Sequence, residues 1–477
     1  MLFSSITFIV CFLPLTLLVY YYCPTVNTKN AALLLASLVF YAWGEPAYIL
    51  IMLASILLNY RVGLCLGGAA YTKYARQWML AAGILINVLL LFYFKYFVFS
   101  EHVINKVLCI AQFPQLQLPI LNIALPLGIS FYTFQSISYL VDVHKNPALV
   151  QKNPLNLGLY ISFFPQLIAG PIVRYHDINE QIRARVHSVN SFAQGIERFI
   201  AGLAKKVLIA NTMAAAADTI FALPPDFLPF YYLALGVVCY TFQIYYDFSG
   251  YSDMAIGLGK MFGFSLLENF NYPYAAKSIT GFWRRWHISL SSWFRDYLYI
   301  PLGGNRKGNA RRNINLFIVF FVTGLWHGAA VNFVFWGLGH GTLLFAEKIL
   351  GKRIALCIKN TRIKNVLGRV YTLISVALLW VFFRLGIRES LRFLRGLFTP
   401  GQGQENAALL VKSILDAQFA VCFAAAALAA FPWPNKFPLL NTRRLVPLRR
   451  CALIALLLIS ICALATNAYN PFIYFRF

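Results

Sequence analysis

Acidic residues are scarce in this chain. It has 16 Asp+Glu against 41 Lys+Arg, and only 12% of its residues carry charge of either sign. A soluble domain usually has about 25% charged residues, so most of this surface faces lipid or protein instead of water. In a soluble protein the net charge of +25 would suggest nucleic acid. Here the basic residues gather in short loops between apolar runs, as the positive-inside rule expects, which argues against nucleic-acid binding. None of the nine Cys forms a C-x-x-C pair or a metal-like spacing with His, and most lie in apolar runs where Cys acts as a small hydrophobe. No disulfide framework and no metal site is expected. G-x-S-x-G and a Ser-His-Asp set are also missing, which excludes the usual serine-nucleophile machinery. No inverted repeat is visible, which counts against a secondary transporter.

What is abundant is apolar: 60% hydrophobic residues and a mean hydropathy of +0.65. The chain reads as one all-α polytopic membrane domain over residues 1–477. Its first run, Leu2 to Tyr22, has no basic residue before it and no small-residue cleavage site, so a retained first helix is expected. Further spans are expected at Ala31–Trp43, Ala47–Tyr60, Trp78–Phe99, Leu118–Val141, Leu155–Ile168, Phe192–Ala210 and Pro229–Tyr246. Others follow at Met254–Leu267, Ile314–Trp326, Ala329–Phe345, Val370–Phe383, Ala407–Phe431 and Cys451–Ala465. Several are shorter than the roughly 20 residues that cross a bilayer unaided. Short pieces suggest re-entrant or broken helices buried within protein, giving about eleven to thirteen membrane segments in all.

The organising stretch runs from Gly281 to Gly341. It opens on Phe282-Trp283-Arg284-Arg285-Trp286-His287 and passes through Phe294-Arg295-Asp296-Tyr297 to Pro301-Leu302-Gly303-Gly304-Asn305-Arg306. A basic, aromatic first part predicts an amphipathic surface helix. A second part without Lys or Arg from Asn313 to Glu347 predicts a membrane hairpin turning at Trp326-His327-Gly328. Basic residues on both sides of the hairpin (Arg284 to Arg312, then Lys352, Arg353, Lys359, Arg362, Lys364 and Arg369) place both its ends in the cytoplasm. His327 then lies deep in the membrane or toward its far side. The last span follows another basic cluster (Lys436, Arg443, Arg444, Arg449 and Arg450), so the tail from residue 466 to 477 is expected on the side of the hairpin turn.

Of seven His, only His327 and His340 fall in strongly apolar surroundings. An ionisable residue inside a membrane is a functional candidate by default, although a His bonded to a neighbouring helix satisfies the same pattern. His340, between two Gly, reads as structural. For His287 the plain reading is a packed or interfacial His, with Trp283, Trp286 and Trp293 at headgroup level. A neutral imidazole can take the proton of a hydroxyl as it attacks an acyl group, so a lone deep His points to direct acyl transfer between two bound substrates. Asp247 and Asp253, in Tyr246-Asp247-Phe248-Ser249-Gly250-Tyr251-Ser252-Asp253, either orient a His or substrate or satisfy helix ends and Arg. Phe163-Phe164-Pro165-Gln166 and Ala169-Gly170-Pro171 read as a broken helix. The aromatic tail (Phe472, Tyr474, Phe477) fits an interfacial belt.

The run Phe282 to Ser291, the block Phe294-Arg295-Asp296-Tyr297 and Leu325-Trp326-His327-Gly328 resemble the signature of the membrane-bound O-acyltransferase superfamily, over essentially the whole chain. Ile300 to Arg306 and Tyr246 to Asp253 are similar to its bacterial branch that O-acetylates exported polysaccharides such as alginate and peptidoglycan. The Gly-Gly-Asn continuation sets it apart from the related D-alanylation proteins. The resemblance implies a ring of helices around a central funnel, with His327 as the catalytic His and His287 as the second signature His where a thioester donor enters. It implies acetyl-CoA as donor substrate with no bound cofactor. Tyr474 would be the transient acyl carrier within a Phe472-x-Tyr474-x-x-Phe477 motif. Trp283, Arg284, Arg285, Trp286, Arg295, Asp296, Asn305, Trp326, Asp247 and Asp253 are the donor or tunnel candidates. The implied partner is an extracytoplasmic Ser-dependent, SGNH-like acetyltransferase that passes acetyl to the polysaccharide, with this chain in the bacterial inner membrane. A D-alanyl, lipid or protein acyltransferase, and a polysaccharide or acyl-donor transporter, remain the alternatives.

Overall fold

The computed structural model describes residues 1–68, 70–357, 360–399, 404–432, 445–466, 469–470 and 472–473, and of 352–357 the main chain alone. Every regular element among them is helical. Among the described residues, five helices are long and apolar enough to cross a bilayer: Ile49–Gly67, Lys73–Ile110, Val189–Ala222, Thr361–Arg384 and Val446–Thr466. A bent pair, Glu405–Ser413 and Ala417–Ala429, makes a sixth if counted as one span. The basic residues Lys359, Lys436, Arg443 and Arg444 lie outside the described residues.

The elements depart from the hydropathy reading where a local group overrides it. Leu118–Val141 is not one span, because the helix starts at Ile129. Pro119 and Pro126 precede it, and Gly128 enters it at φ 76°, a conformation that suits glycine. Ala407–Phe431 breaks by 73° where the Asp416 side chain accepts the Phe419 N–H at 2.7 Å, capping a new helix. Pro229–Tyr246 and Met254–Leu267 are one 32-residue helix, Phe230–Met261. The polar residues between them looked like a break, but their charges are paired within the fold. The expected surface helix after Gly281 is instead two short helices, Ile279–Trp283 and Ile288–Phe294, with Trp283, Trp286, His287 and Trp293 all buried. Its aromatic residues pack inside the protein, the packed one of the two readings of His287.

The chain forms two compact units. The first comprises residues 1–195, 258–267 and 328–330. Its core includes a ring cluster of Phe3, Phe8, Phe40 and Phe164 with neighbouring centroids 5.0–6.3 Å apart. Asn59 and Asn87, on two adjacent membrane helices, exchange amide bonds of 3.1 and 2.8 Å, polar glue in an apolar setting. The expected broken helix is present: Pro154–Ser162 stops at Phe163, whose ψ is 108°, before a short turn Phe164–Leu167. His176 bonds Asp142 at 2.9 Å, and this bond raises its imidazole above the ordinary value of 6.5.

The second unit comprises residues 196–257, 268–327 and 331–477. Its hairpin pairs Gly308–His327 with Val331–Cys357. The two helices touch backbone to backbone: a Cβ on Gly324 would lie 2.4 Å from the Phe333 carbonyl oxygen. A second close crossing joins Gly202 and Gly250, where a Cβ on Gly202 would stand 2.6 Å from the Gly250 oxygen. That crossing brings the Lys205–Ala210 segment, a π-helical turn, against the stretch from Asp247 to Asp253.

Candidate active site

The second unit gathers several of the sequence candidates on one segment of one helix. Within Phe230–Met261, side chains from 247 to 253 leave in three directions, as a 3.6-residue period requires. Asp247 and Tyr251 face the C-terminal tail, Phe248 and Ser252 face the loop that carries His287, and Asp253 faces the basic residues Lys205 and Arg198. The π turn holds consecutive lysines against carboxylates six positions apart. Lys205 reaches Asp253 at 2.6 Å, and Lys206 reaches Asp247 at 2.8 Å. Such bulges recur at functional sites.

His287 sits just before Ile288–Phe294 at φ 45°, a rare conformation for a residue with a side chain. Asn269 holds it there. Its carbonyl accepts the Ile288 N–H at 2.9 Å, and its side-chain oxygen accepts from the Ser289 hydroxyl at 2.9 Å. The same oxygen lies 3.0 Å from His287 Nδ1, while the Asn269 amide donates to Ser252 Oγ at 3.0 Å. With the amide oriented so, Nδ1 carries the proton and Nε2 keeps its lone pair. The His287 ring packs edge-on against Phe248 at 4.6 Å.

His327 is the last residue of the hairpin's first helix and is 7% exposed. Its ring centroid is 6.4 Å from that of His287. Trp326, Trp336 and Phe383 surround it with centroids at 5.0, 5.1 and 5.1 Å. This aromatic wall shields the imidazole from water, and exclusion of water strengthens electrostatic interactions in such a place. His340 accepts from Trp283 Nε1 at 3.3 Å and meets the Trp336 ring edge-on at 5.0 Å, in keeping with a structural place.

The remaining candidates are spread out. Trp286 packs on Trp380 at 5.0 Å. Arg284 lines an apolar slot of 290 Å³ with Trp283, Leu290 and Phe320. Arg285 donates to the Asn271 carbonyl at 3.3 Å. Arg295 and Asp296 pair with each other at 2.7 Å, and Asn305 accepts from Tyr299 at 2.6 Å. Tyr474 and Phe477 lie outside the described residues. The part of the tail that is described is firmly held. Phe472 stacks on Tyr251 at 4.8 Å, and the Ile473 N–H donates to Asp247 Oδ2 at 2.7 Å.

Beside Asn269 and Ile288 lies a cavity of 710 Å³. One wall carries Arg198, Lys205, Asp253 and Glu268, and the other is apolar, with Ala425, Leu428 and Phe431. Arg198 bonds both Asp253 and Glu268. The sequence reading missed Lys206 and Asn269. Two adjacent lysines inside an apolar run were signal enough, because a buried ammonium needs a partner and the two nearby carboxylates were already in view.

The profile of the MBOAT, membrane-bound O-acyltransferase family matches residues 148–386, and two thirds or more of several curated relatives align at over 30% identity. The chain belongs to the membrane-bound O-acyltransferase family. It is an O-acyltransferase of the membrane with several spans. A probable alginate O-acetylase of Pseudomonas aeruginosa is 43% identical over 85% of this chain and 76% of its own. A protein of the same description from Pseudomonas putida is 38% identical over the full length of both. The peptidoglycan O-acetyltransferase of Helicobacter pylori is 36% identical over 83% of this acyltransferase and 80% of its own length. These relatives place it in the bacterial polysaccharide O-acetyltransferase branch.

Proposed function

We propose that this acyltransferase carries acetyl groups from cytoplasmic acetyl-CoA across the inner membrane of a bacterium to a polysaccharide. The observation that carries the reading is the pair of buried histidines, His287 and His327, with ring centroids 6.4 Å apart in aromatic surroundings. Acetyl-CoA enters beside His287, where the 710 Å³ cavity offers an apolar wall for the pantetheine arm, and the basic residues between Arg284 and Arg312 suit its phosphates. His327 takes the proton of the Tyr474 hydroxyl, and the phenolate oxygen attacks the thioester carbonyl. The new O–C bond forms as the C–S bond breaks. The departing CoA thiolate takes the proton back from the imidazolium and leaves as the free thiol.

The acetyl-tyrosine then faces the extracytoplasmic side. A Ser-dependent, SGNH-like partner receives the acetyl there and passes it to a sugar hydroxyl; the relatives named for alginate and peptidoglycan O-acetylation support a polysaccharide as the final acceptor. Tyr474 serves as nucleophile because a phenol, with a pKa near 10, is reactive at neutral pH once a base is supplied. The test is polysaccharide acetylation in cells carrying His327→Ala. Loss of acetylation with normal insertion is expected, and full acetylation would end the catalytic role of His327. Tyr474→Phe is expected to lose the product as well.

A further inference from the structure

A chain terminus is normally frayed, yet this one is fastened at four successive described residues. The Asn211 amide reaches the Tyr469 carbonyl at 3.4 Å and the Asn470 side chain at 3.3 Å. The Tyr469 hydroxyl bonds Asp218. The Phe472 ring stacks on Tyr251, with the Lys206 ammonium 6.0 Å from its centroid. Last, the Ile473 N–H meets Asp247. The side chains of Lys206 and Asp247 are 2% and 3% exposed.

A buried ion pair is a poor way to fill space, because an apolar pair of similar size often does so as well or better. This pair does something an apolar pair cannot. Asp247 turns Oδ1 to Lys206 and Oδ2 to the main chain of the tail. Lys206 is in turn steadied by Asn211 Oδ1 at 2.9 Å, and Asn211 itself touches the tail. We propose that the Lys206–Asp247 pair is the positioning device of the acyl-accepting tail, holding the backbone at Ile473 so that Tyr474, the next residue, meets the acyl donor in register. This rests on the acyl-carrier reading of Tyr474. One residue advances the chain by about 3.8 Å, whereas acyl transfer requires reacting atoms about 3–3.5 Å apart, and a misplacement of about 1 Å can cost about 100-fold.

The test uses the full-length protein in detergent with labelled acetyl-CoA and two paired variants. Asp247→Asn with Lys206→Met keeps a neutral acceptor for the Ile473 N–H. Asp247→Leu with Lys206→Met keeps the volume and removes the acceptor. The Leu variant is expected to label Tyr474 about 100-fold more slowly than wild type, with the KM for acetyl-CoA unchanged. Its C-terminal residues are expected to fall faster to carboxypeptidase. The Asn variant is expected to keep at least about a tenth of the wild-type rate, a partial rescue that a merely structural pair would not give. Equal labelling of Tyr474 in the two variants overturns the inference alone. If the Leu variant does not insert, Tyr251→Leu removes the ring beneath Phe472 without touching a charge. A labelling loss of about tenfold or more is then expected, and none overturns the proposal. An unlabelled tail in the wild type overturns the carrier reading and this inference with it.

Discussion

Replacing Asn269 by Leu removes the oxygen that fixes which nitrogen of His287 holds the proton, and with it the anchor of the Ser289 hydroxyl. Turnover is expected to fall by about 100-fold, the scale of loss when the group beside which the donor is held shifts by about 1 Å. The KM for acetyl-CoA should move little. Steady-state kinetics on purified protein separates the two, and a pure KM effect would mean that Asn269 shapes the donor site instead. His176 offers a pH test in the first unit. Its value is raised by the Asp142 bond, so its stabilisation is full below the unfolded value near 6.5 and is lost as pH rises through the raised one. The difference in melting temperature between wild type and His176→Gln is expected to shrink from about pH 6 to about pH 8. A difference that grows would show that the proton favours the unfolded chain.

At the scale of elements, the helix Phe230–Met261 does the most. It presents Asp247 to the tail, Phe248 and Ser252 to the His287 loop, and Asp253 to Arg198 and Lys205. Its crossing with the Lys205 segment depends on Gly202 and Gly250. Gly202→Val is expected to overpack that crossing and cost about 1–3 kcal/mol, read as a lower melting temperature. A melting temperature equal to wild type would mean that the crossing opens without strain. This helix also shows what was legible in the sequence. Hydropathy alone found its two apolar ends but read the polar centre as a gap, because pairing with Lys205 and Lys206 is invisible in a local window. The hairpin around His327 was legible, since its apolar run and bounding basic clusters are local signals. The buried course of Trp283, Trp286 and His287 was legible only as one of two readings, packed or interfacial, since basic residues beside aromatics look interfacial until the rings that cover them are known.

For the whole molecule, the sidedness of the last span decides whether the tail can serve as carrier. Arg449 and Arg450 pair with Glu197 at 2.9 and 3.3 Å at the start of Val446–Thr466. The basic cluster around them predicts that this end is cytoplasmic. An epitope between Asn441 and Thr442 is expected to be reached only after the membrane is opened, and one following Phe477 without opening it. Both epitopes reached from the same side would remove the outward tail. The most direct test of the central claim is the intact mass of the C-terminal peptide after purified protein is incubated with labelled acetyl-CoA. The account predicts a labelled acetyl on Tyr474 that is absent in His327→Ala. Label on the tail of both proteins, or on neither, would contradict it.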